Sequence, residues 1–314
     1  MPSSAVRSFT DPDEYAVAIR GATVELTVTG RGDFNAKLTR IDLNRIWMQR
    51  FAESLPRIMH SAVASGRAFL SFDTQPGPRQ LWSGNETDPS NIIRYRADQE
   101  YFRQSSGFAR FGTMSIPGED MAGIGAAMAI DLTPPKNPLV LTPPPSAMTR
   151  LQRLHAAAGH LAENAPEIIA NPNAARGLEQ ALIEAMVDCI VDGEGREPSL
   201  AQGQHAIVMR RFHRAVEEHV GEPLYIPEIC KKVGVSERTL RMCCQEHLGM
   251  PPKRYLLLRR MHLTRRALRQ AHPDVTSVTA IGTRYGFWEL GRFSVEYRAL
   301  FGEPPSATLR RQPE

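Results

Sequence analysis

Hydrophobic and polar positions form short strand-like runs in the first third of the chain. Alternating or apolar runs cover residues 22–28, 35–43, 45–53, 67–73, 91–95 and 107–116, and Gly, Asn, Asp and Pro cluster between them. Alternation with a period of two residues is typical of β-strands, and the clusters are typical of turns. The pattern predicts a β-sandwich or β-barrel for this region.

A proline-rich stretch follows the predicted strands. Six of the twelve residues from 134 to 145 are proline, which neither a helix nor a central strand tolerates, so we expect a linker or an extended strap there. Beyond it, residues 146–164 and 173–192 predict helices, and residues 193–203 predict a second linker. The second helix has an apolar face formed by Leu178, Leu182, Ala185, Met186 and Cys189. These helices either form a dimer seam or pack on their own barrel.

The last third of the chain predicts short helices and contains a degenerate internal repeat. The first copy has Ile229, Cys230, Gly234, Leu240, Cys244, Gly249 and Pro252. The second copy has Ile281, Gly282, Gly286, Phe293, Tyr297, Gly302 and Pro305. The offset is 52 residues up to the turn glycine and 53 beyond it, so one extra residue lies in the second turn.

Each copy has the features that a helix-turn-helix motif requires. A small residue is needed where the two helices cross, and Cys230 and Gly282 supply it. Gly234 and Gly286 supply the turn residue that accepts a positive φ. The first helices are predicted over about residues 226–233 and 278–285. Ser236 is a candidate cap for the second helix of the first copy, and Ser277 is one for the first helix of the second copy. Two motifs in register predict a DNA-binding module.

Helical spacing separates a core face from an outer face in each second helix. The core faces comprise Leu240, Cys244 and Leu248 in the first copy and Phe293, Tyr297 and Phe301 in the second. We assign DNA contact to the outer positions and their neighbours, because arginine on such a face can bind guanine edges in the major groove. The candidate DNA-binding residues are Lys232, Ser236, Arg238, Arg241, Met242, Gln245, Arg284, Glu289, Arg292 and Val295.

A long helix is predicted between the copies, over residues 252–271. It would span roughly 30 Å, close to the roughly 34 Å of one DNA turn. Two recognition helices would then enter successive major grooves on one face of the duplex.

The charge distribution also favours a DNA-binding module in the C-terminal third. Residues 205–314 carry 19 of the 38 basic residues but 11 of the 34 acidic ones, a net charge of +8, whereas residues 1–204 carry −4. A basic C-terminal module suits a polyanion such as nucleic acid. The 42% hydrophobic and 23% charged content excludes a disordered chain, and 314 residues suggest two domains.

The sequence offers little support for a membrane, metal or catalytic role. The first fifteen residues lack a signal-like apolar region, and the longest uncharged apolar stretch, residues 121–130, is too short for a membrane span, so we expect a cytoplasmic, nucleoid-associated protein. The four cysteines form no CxxC pair and are expected as buried thiols. The barrel region has a single histidine, His60, so we expect no metal site, cofactor or enzymatic activity.

Residues 205–310 resemble the DNA-binding domain of the AraC/XylS family of bacterial transcription regulators. The resemblance rests on residues 281–287 (IGTRYGF), followed by Phe293, Tyr297-Arg298, Phe301-Gly302 and Pro305-Ser306. The sequence departs from the family pattern at Gly282, where Ala is usual, at Pro304, and at Thr308-Leu309. The resemblance implies an N-terminal cupin-like β-barrel that senses an effector or dimerises.

Together these observations predict an α+β multidomain protein. Residues 1–135 would form the β-rich regulatory domain, residues 146–195 a helical dimerisation or connector segment, and residues 205–314 the all-α DNA-binding domain. The expected function is sequence-specific regulation of promoters under control of a small-molecule effector. The alternative is an effector-independent, constitutive or architectural DNA-binding protein whose N-terminal domain only dimerises. Expected partners are double-stranded promoter DNA, a second copy of the chain and, for an activator, RNA polymerase.

Overall fold

The computed structural model describes residues 1–135, 139–196, 199–219 and 224–311. Its strands are β1 (Ser3–Phe9), β2 (Ala22–Val28), β3 (Ala36–Asp42), β4 (Trp47–Glu53), β5 (Arg57–Val63), β6 (Arg67–Asp73), β7 (Gln80–Trp82), β8 (Asn85–Thr87), β9 (Ile92–Arg94), β10 (Glu100–Ser105), β11 (Ala109–Pro117), β12 (Leu139–Thr142) and β13 (Glu194–Arg196). Its helices are α1 (Pro12–Ala18), α2 (Gly118–Met128), α3 (Pro145–Asn164), α4 (Pro166–Ala170), α5 (Pro172–Val191), α6 (Leu200–Glu217), α7 (Ile226–Val233), α8 (Glu237–Leu248), α9 (Pro252–Gln270), α10 (Val278–Arg284), α11 (Leu290–Phe301) and α12 (Pro305–Arg310).

The strands form two antiparallel sheets. The first has the order β1-β3-β4-β11-β6-β9-β12-β13, and the second has the order β2-β5-β10-β7-β8. The predicted α+β layout, with a β-rich N-terminal part and a helical C-terminal part, is confirmed. In the described residues the expected barrel is not closed, because the two sheets share no ladder.

The second sheet is covered on both faces. Successive side chains of a strand point to opposite faces. Along β5, Ile58 packs in a core with α6, α7 and α8, whereas Met59 packs between the two sheets. Along β10, Phe102 faces the helices, and Tyr101 belongs to a core within the β-rich part. This sheet therefore separates the interior of the N-terminal part from the C-terminal helices.

The helices after the sheets are packed on the first sheet. Leu182, Ala185, Met186 and Cys189 of α5 are completely or almost completely buried and share one core with strand residues such as Leu70. Of the two interpretations of this apolar face, packing on the chain's own sheet is the one observed.

Both predicted linkers contain a strand. In the proline-rich stretch, β12 covers four residues without proline and pairs with β9 and β13. The stretch is therefore an extended strap built into a sheet, not a free linker; residues 136–138 lie outside the described part. In the second linker β13 pairs with β12, and α6 begins at Leu200; residues 197 and 198 lie outside the described part.

The four cysteines are buried free thiols, as predicted. Burial raises the pKa of Cys189 to about 12 and that of Cys243 to about 11. These side chains therefore act as small apolar groups. None of the helices in the described ranges has the length and hydropathy needed to cross a bilayer.

A buried ion pair lies at the centre of the N-terminal part. Arg57 Nε donates to Glu53 Oε2 at 2.6 Å, and both side chains are fully buried. Tyr15 Oη donates to the other carboxylate oxygen of Glu53 at 2.8 Å. The pair ties β5, in the second sheet, to β4, in the first, and helix α1 joins through Tyr15.

We expect Glu53→Ala to lower the free energy of unfolding by about 3 to 5 kcal/mol, because it leaves the Arg57 charge buried and unpaired. The exposed pair Arg79–Glu86, at 3.1 Å with both side chains 61% exposed, supplies the matched control. Glu86→Ala should cost less than about 1 kcal/mol. Urea denaturation of both variants measures the difference, and equal losses would contradict the importance given to the buried pair.

Candidate nucleic-acid interface

The first helix-turn-helix motif is formed by α7 and α8. Gly234 ends α7 in the left-handed region at φ 79°. Ser236 then caps α8, with its Oγ accepting a hydrogen bond from Thr239 N at 3.1 Å. Leu240 and Cys244 are fully buried against α6 and α7. The turn glycine, the serine cap and the core face lie where the sequence predicted them.

The second motif, formed by α10 and α11, repeats this construction. Ser277 Oγ caps α10 by accepting from Ala280 N at 3.1 Å, and Gly286 has φ 75° in the turn. A Cβ atom on Gly282 would lie 3.4 Å from Leu290 Cδ2, which is ordinary contact. Alanine, the usual family residue, would therefore also fit at this helix crossing.

Helix α9 holds the two motifs together. Its Tyr255 belongs to the core of the first motif, and its Leu258, Met261 and Leu268 belong to the core of the second. At 1.5 Å per residue its 19 residues span about 28 Å. Both recognition helices are thus packed against one rigid element.

The candidate DNA-binding residues of the first motif are exposed. Lys232 lies on α7, and Ser236 lies at the start of α8. The outward face of α8 carries Arg238, Arg241, Met242 and Gln245. Arg241 contacts Glu237 of the same helix at 3.1 Å. Met242 is an apolar side chain that is 49% exposed in this otherwise polar face.

The second motif exposes a less basic surface. Arg284 ends α10, and Glu289 precedes α11. Arg292 and Val295 are exposed on α11, and Arg292 Nε lies 2.9 Å from Glu296 Oε1. Trp288, 69% exposed in the turn before α11, belongs to the same surface. Sequence reasoning missed this tryptophan, although its position between the turn glycine and the recognition helix is a usable signal.

The side of α9 away from the motifs carries arginines that pair with α1 and its cap. Arg266 Nε donates to Asp13 Oδ2 at 3.1 Å. Arg269 pairs with Asp11 and lies 3.4 Å from Glu14. Part of the basic excess of the C-terminal third is therefore neutralised within the protein and is not available to DNA.

Contacts in the middle of α9 are more deeply buried. Arg259, 5% exposed, pairs with Glu217 of α6, and its Nε lies 3.3 Å from Glu25 Oε1 of β2. His262 Nε2 lies 2.9 Å from the carbonyl oxygen of Val28. These contacts fix α9 on the edge strand of the second sheet.

The first motif is also docked on the second sheet. Ile58 and Phe102 complete its core from the sheet side. At the far end of α8, Gly84 approaches so closely that a Cβ atom there would lie 2.9 Å from Glu246 Oε1 and 3.2 Å from His247 Nε2. The docked face is opposite the exposed recognition face, so docking leaves the candidate DNA-binding residues accessible.

Comparison with known proteins agrees with this geometry. A sequence-family profile described as a helix-turn-helix domain matches residues 229–311. The chain is 41% identical over 98 residues to the "probable thc operon regulatory protein" of Rhodococcus erythropolis, covering 31% of this chain and 30% of that protein. It is 35% identical over 102 residues to XylDLEGF operon transcriptional activator 1 of Pseudomonas putida, covering 32% and 31%. The C-terminal third of this chain is an AraC/XylS-type helix-turn-helix domain.

The similarity to these curated relatives covers about a third of their length. Among solved structures, the AraC-like transcriptional activator CuxR is 14% identical and matches 82% of this chain and 94% of its own, with a TM-score of 0.44. A probable AraC family transcriptional regulator from Rhodopseudomonas palustris is 31% identical and matches 34% of this chain and 98% of its own, with a TM-score of 0.30.

We expect acid to weaken the packing of this AraC/XylS-type domain on the sheet. Burial lowers the pKa of His247 and of His262 from 6.5 to about 4. Between pH 6.5 and 4 the unfolded chain binds more protons than the folded one, so these groups stabilise the fold fully above pH 6.5 and lose that contribution as the pH falls to about 4. Each histidine contributes a slope of at most about 1.4 kcal/mol per pH unit.

Urea denaturation at a series of pH values measures this slope. His262→Gln keeps a side-chain donor for the Val28 carbonyl but removes the titration, so its slope between pH 6.5 and 4 should be smaller than that of the parent. His272→Gln, at a side chain that is 66% exposed, is the control and should leave the slope unchanged. Parallel curves for all three proteins would contradict the prediction.

Proposed function

We propose that this protein is a transcription regulator that binds promoter DNA in a sequence-specific manner through its two helix-turn-helix motifs. The observation that carries the proposal is the orientation of the two recognition helices: each is buried on one face in a core shared with α9 and exposes the other. Helix-turn-helix proteins place such a face in the major groove. The names of the curated relatives, an operon regulatory protein and transcriptional activators, support regulation and not catalysis.

Arginines near the start of each recognition helix are the proposed base-reading residues. Arg238 is the second residue of α8 and Arg292 the third of α11, and N-terminal residues of a recognition helix contact base edges. The ion pairs of Arg241 and Arg292 with glutamates on their own helices are exposed, so breaking them for DNA costs little. Arg284, Glu289 and Gln245 flank these positions on the same surfaces.

Apolar and backbone-directed contacts complete the proposed interface. Met242 and Val295 are exposed apolar residues suited to thymine methyl groups, which also line the major groove. Lys232, on the first helix of its motif, is assigned to the phosphate backbone. Ser236 already caps α8, so its contribution is the helix N-terminus that it orders, where backbone amides bind phosphate.

The effector site is proposed between the two sheets. A cavity of ≈ 60 Å³ lies there. Its walls are largely apolar and aromatic, and include Phe51, Phe69, Trp82, Tyr95, Tyr101 and Phe111. The arginines at its walls already have partners: Arg20 lies 2.6 Å from Asp42, and Arg103 pairs with Asp73. This lining favours a small apolar or aromatic effector.

The second sheet offers a physical route from this cavity to DNA. Met59 and Ser61 line the cavity, whereas Ile58 and His60 of the same strand point to the DNA-binding side. A molecule that shifts β5 would therefore shift the surface on which α6 and α8 rest. Such a route requires that the effector bind one arrangement more tightly than the other.

We propose the division into functional units that the sequence predicts: residues 1–135 for regulation, 146–195 for connection or dimerisation, and 205–314 for DNA binding. The first sheet covers the apolar face of the connector helices. A homodimer formed through the connector would therefore use the outward surface of these helices, where Ile168 and Val191 are 42% and 44% exposed. A dimer adds affinity through a second half-site. The activator names of the P. putida relatives favour activation, and RNA polymerase would then be a further partner.

Base-reading and phosphate-binding residues should behave differently on substitution. We expect Arg238→Ala and Arg292→Ala each to cost about 1 to 3 kcal/mol on a specific promoter site and little on random DNA. Lys232→Ala should weaken both DNAs alike and reduce the salt slope by about 1. Arg176→Ala, at an exposed position on α5, is the control.

Fluorescence anisotropy with promoter and random duplexes at several salt concentrations measures these effects in the full-length protein. If Arg238→Ala and Arg292→Ala reduced the affinity for both duplexes equally, those arginines would contact phosphates and not base edges. No binding of promoter DNA by the parent protein at low salt would overturn the proposed function.

Filling the cavity should abolish control by an effector. A thermal-shift screen of small apolar and aromatic molecules identifies compounds that raise the melting temperature of the parent protein. Ser61→Phe places a ring in the cavity, and we expect it to remove that shift. A true effector should change operator affinity in the parent by about 5- to 150-fold. Bound compounds that leave operator affinity unchanged would favour the effector-independent alternative.

A further inference from the structure

Two buried histidines from distant parts of the chain stack between the second sheet and the DNA-binding domain. His60 lies on β5 and His213 on α6, with 8% and 6% of their surfaces exposed. Their ring centroids are 3.6 Å apart, with an interplanar angle of 28°. The ring of Phe102, 4.9 Å from that of His60, covers the pair on one side.

Both histidines have a ring nitrogen that lacks a hydrogen-bond partner in the described part of the chain. These atoms are His60 Nε2 and His213 Nδ1. Buried polar atoms are nearly always partnered, and an unpartnered one costs about 1 to 3 kcal/mol. Two such nitrogens in adjacent rings indicate a ligand-binding site.

A carboxylate completes the group. Glu25 of β2 offers an oxygen, and one ligand atom each from Glu25, His60 and His213 all lie within 4.8 Å of one another. Two imidazole nitrogens and one carboxylate oxygen are a ligand set used for zinc and related divalent ions, with a further position open.

The surrounding charge also favours a cation. Two more carboxylates lie near Glu25 and the histidines. Glu100 Oε2 lies 3.6 Å from His60 Nε2, and Glu217 Oε1 lies 3.9 Å from His213 Nε2. The cations facing them are Arg259, which pairs with Glu25 and Glu217, and Arg214, which faces Glu100. Three carboxylates against two guanidinium groups leave an excess of negative charge around the two imidazole rings.

We propose that Glu25, His60 and His213 bind a divalent transition-metal ion of the zinc class, which links the second sheet to the first helix of the DNA-binding domain. The sequence-based expectation of no metal counted ligands within the N-terminal region alone. The second histidine comes instead from α6, which only domain docking brings to β5.

Such an ion would fix the position of α6, which packs on both helices of the first motif. Metal binding should therefore change operator affinity. The effect on operator affinity rests on the proposed function, whereas metal binding itself is measured without DNA. A failure of the proposed metal site is therefore distinguishable from a failure of the proposed function.

The test uses the full-length, tag-free protein after treatment with a chelator. Titration with Co²⁺ should produce the visible absorption of a nitrogen- and oxygen-ligated ion at one equivalent per chain, and Zn²⁺ should displace it. Zn²⁺ should also raise the melting temperature. No binding, or binding without a defined stoichiometry, would overturn the proposal.

Variants locate the site. His60→Gln, His213→Gln and Glu25→Gln should each weaken Co²⁺ binding by more than the roughly 10- to 100-fold typical of residues that only support a ligand. His272→Gln is the control and should bind as the parent does. Circular dichroism without metal identifies the variants that remain folded, and the metal affinities are compared among those. Unchanged affinity in the folded variants would show that the stacked histidines are only a packing contact.

Discussion

The packing of α9 on the edge of the second sheet is the contact on which the arrangement of the two parts depends. One helix has to satisfy two helix-turn-helix cores and a docking surface at once. Different faces of the helix make these contacts. Tyr255 and Leu258 pack in the motif cores, and Arg259 and His262 contact β2 of the second sheet. Since the burial of Arg259 removes it from water, its pairing with Glu25 and Glu217 is needed to compensate that charge.

Together with the packing of α6 and α8 on β5 and β10, this contact gives the second sheet an unusual position in the molecule. On one side it closes an apolar cavity, and on the other it supports the DNA-binding domain. Strands β5 and β10 are therefore buried on both faces, with Met59 and Tyr101 facing inward and Ile58 and Phe102 facing the helices. A closely packed layer of this kind transmits a displacement from one face to the other, because interiors have little free volume to absorb it. The proposed effector cavity and the proposed metal site lie on opposite faces of the same strand.

The recognition surfaces remain outside this packing. Their exposed residues are a mixture of guanidinium groups, short polar side chains and apolar groups such as Met242, Val295 and Trp288. The candidate residues of the first motif include no carboxylate, whereas those of the second include Glu289, and Glu296 lies near Arg292. The two motifs thus expose different chemistry on their recognition faces.

The local elements follow from the amino-acid sequence alone. It predicted α7, α9 and α10, with ends that agree to within one residue, the turn glycines and the caps at Ser236 and Ser277, because caps, turns and helical spacing depend on interactions between neighbours in the chain. It also predicted strands such as β2 and β6, whose ends agree with the structure.

Features that depend on distant partners in the chain emerge only in the folded protein. Strands β5 and β10 were missed because burial on both faces removes the alternation that identifies a strand. The strap is part of a sheet because its four proline-free residues pair with β9. Arg266 and Arg269 of α9 count toward the basic excess of the C-terminal third, but in the fold they pair with Asp13 and Asp11. The pairing of His60 with His213 depends on the same docking. A sequence pattern records which residues are buried, but not which surface buries them, and that surface is fixed only when the two parts of the chain meet.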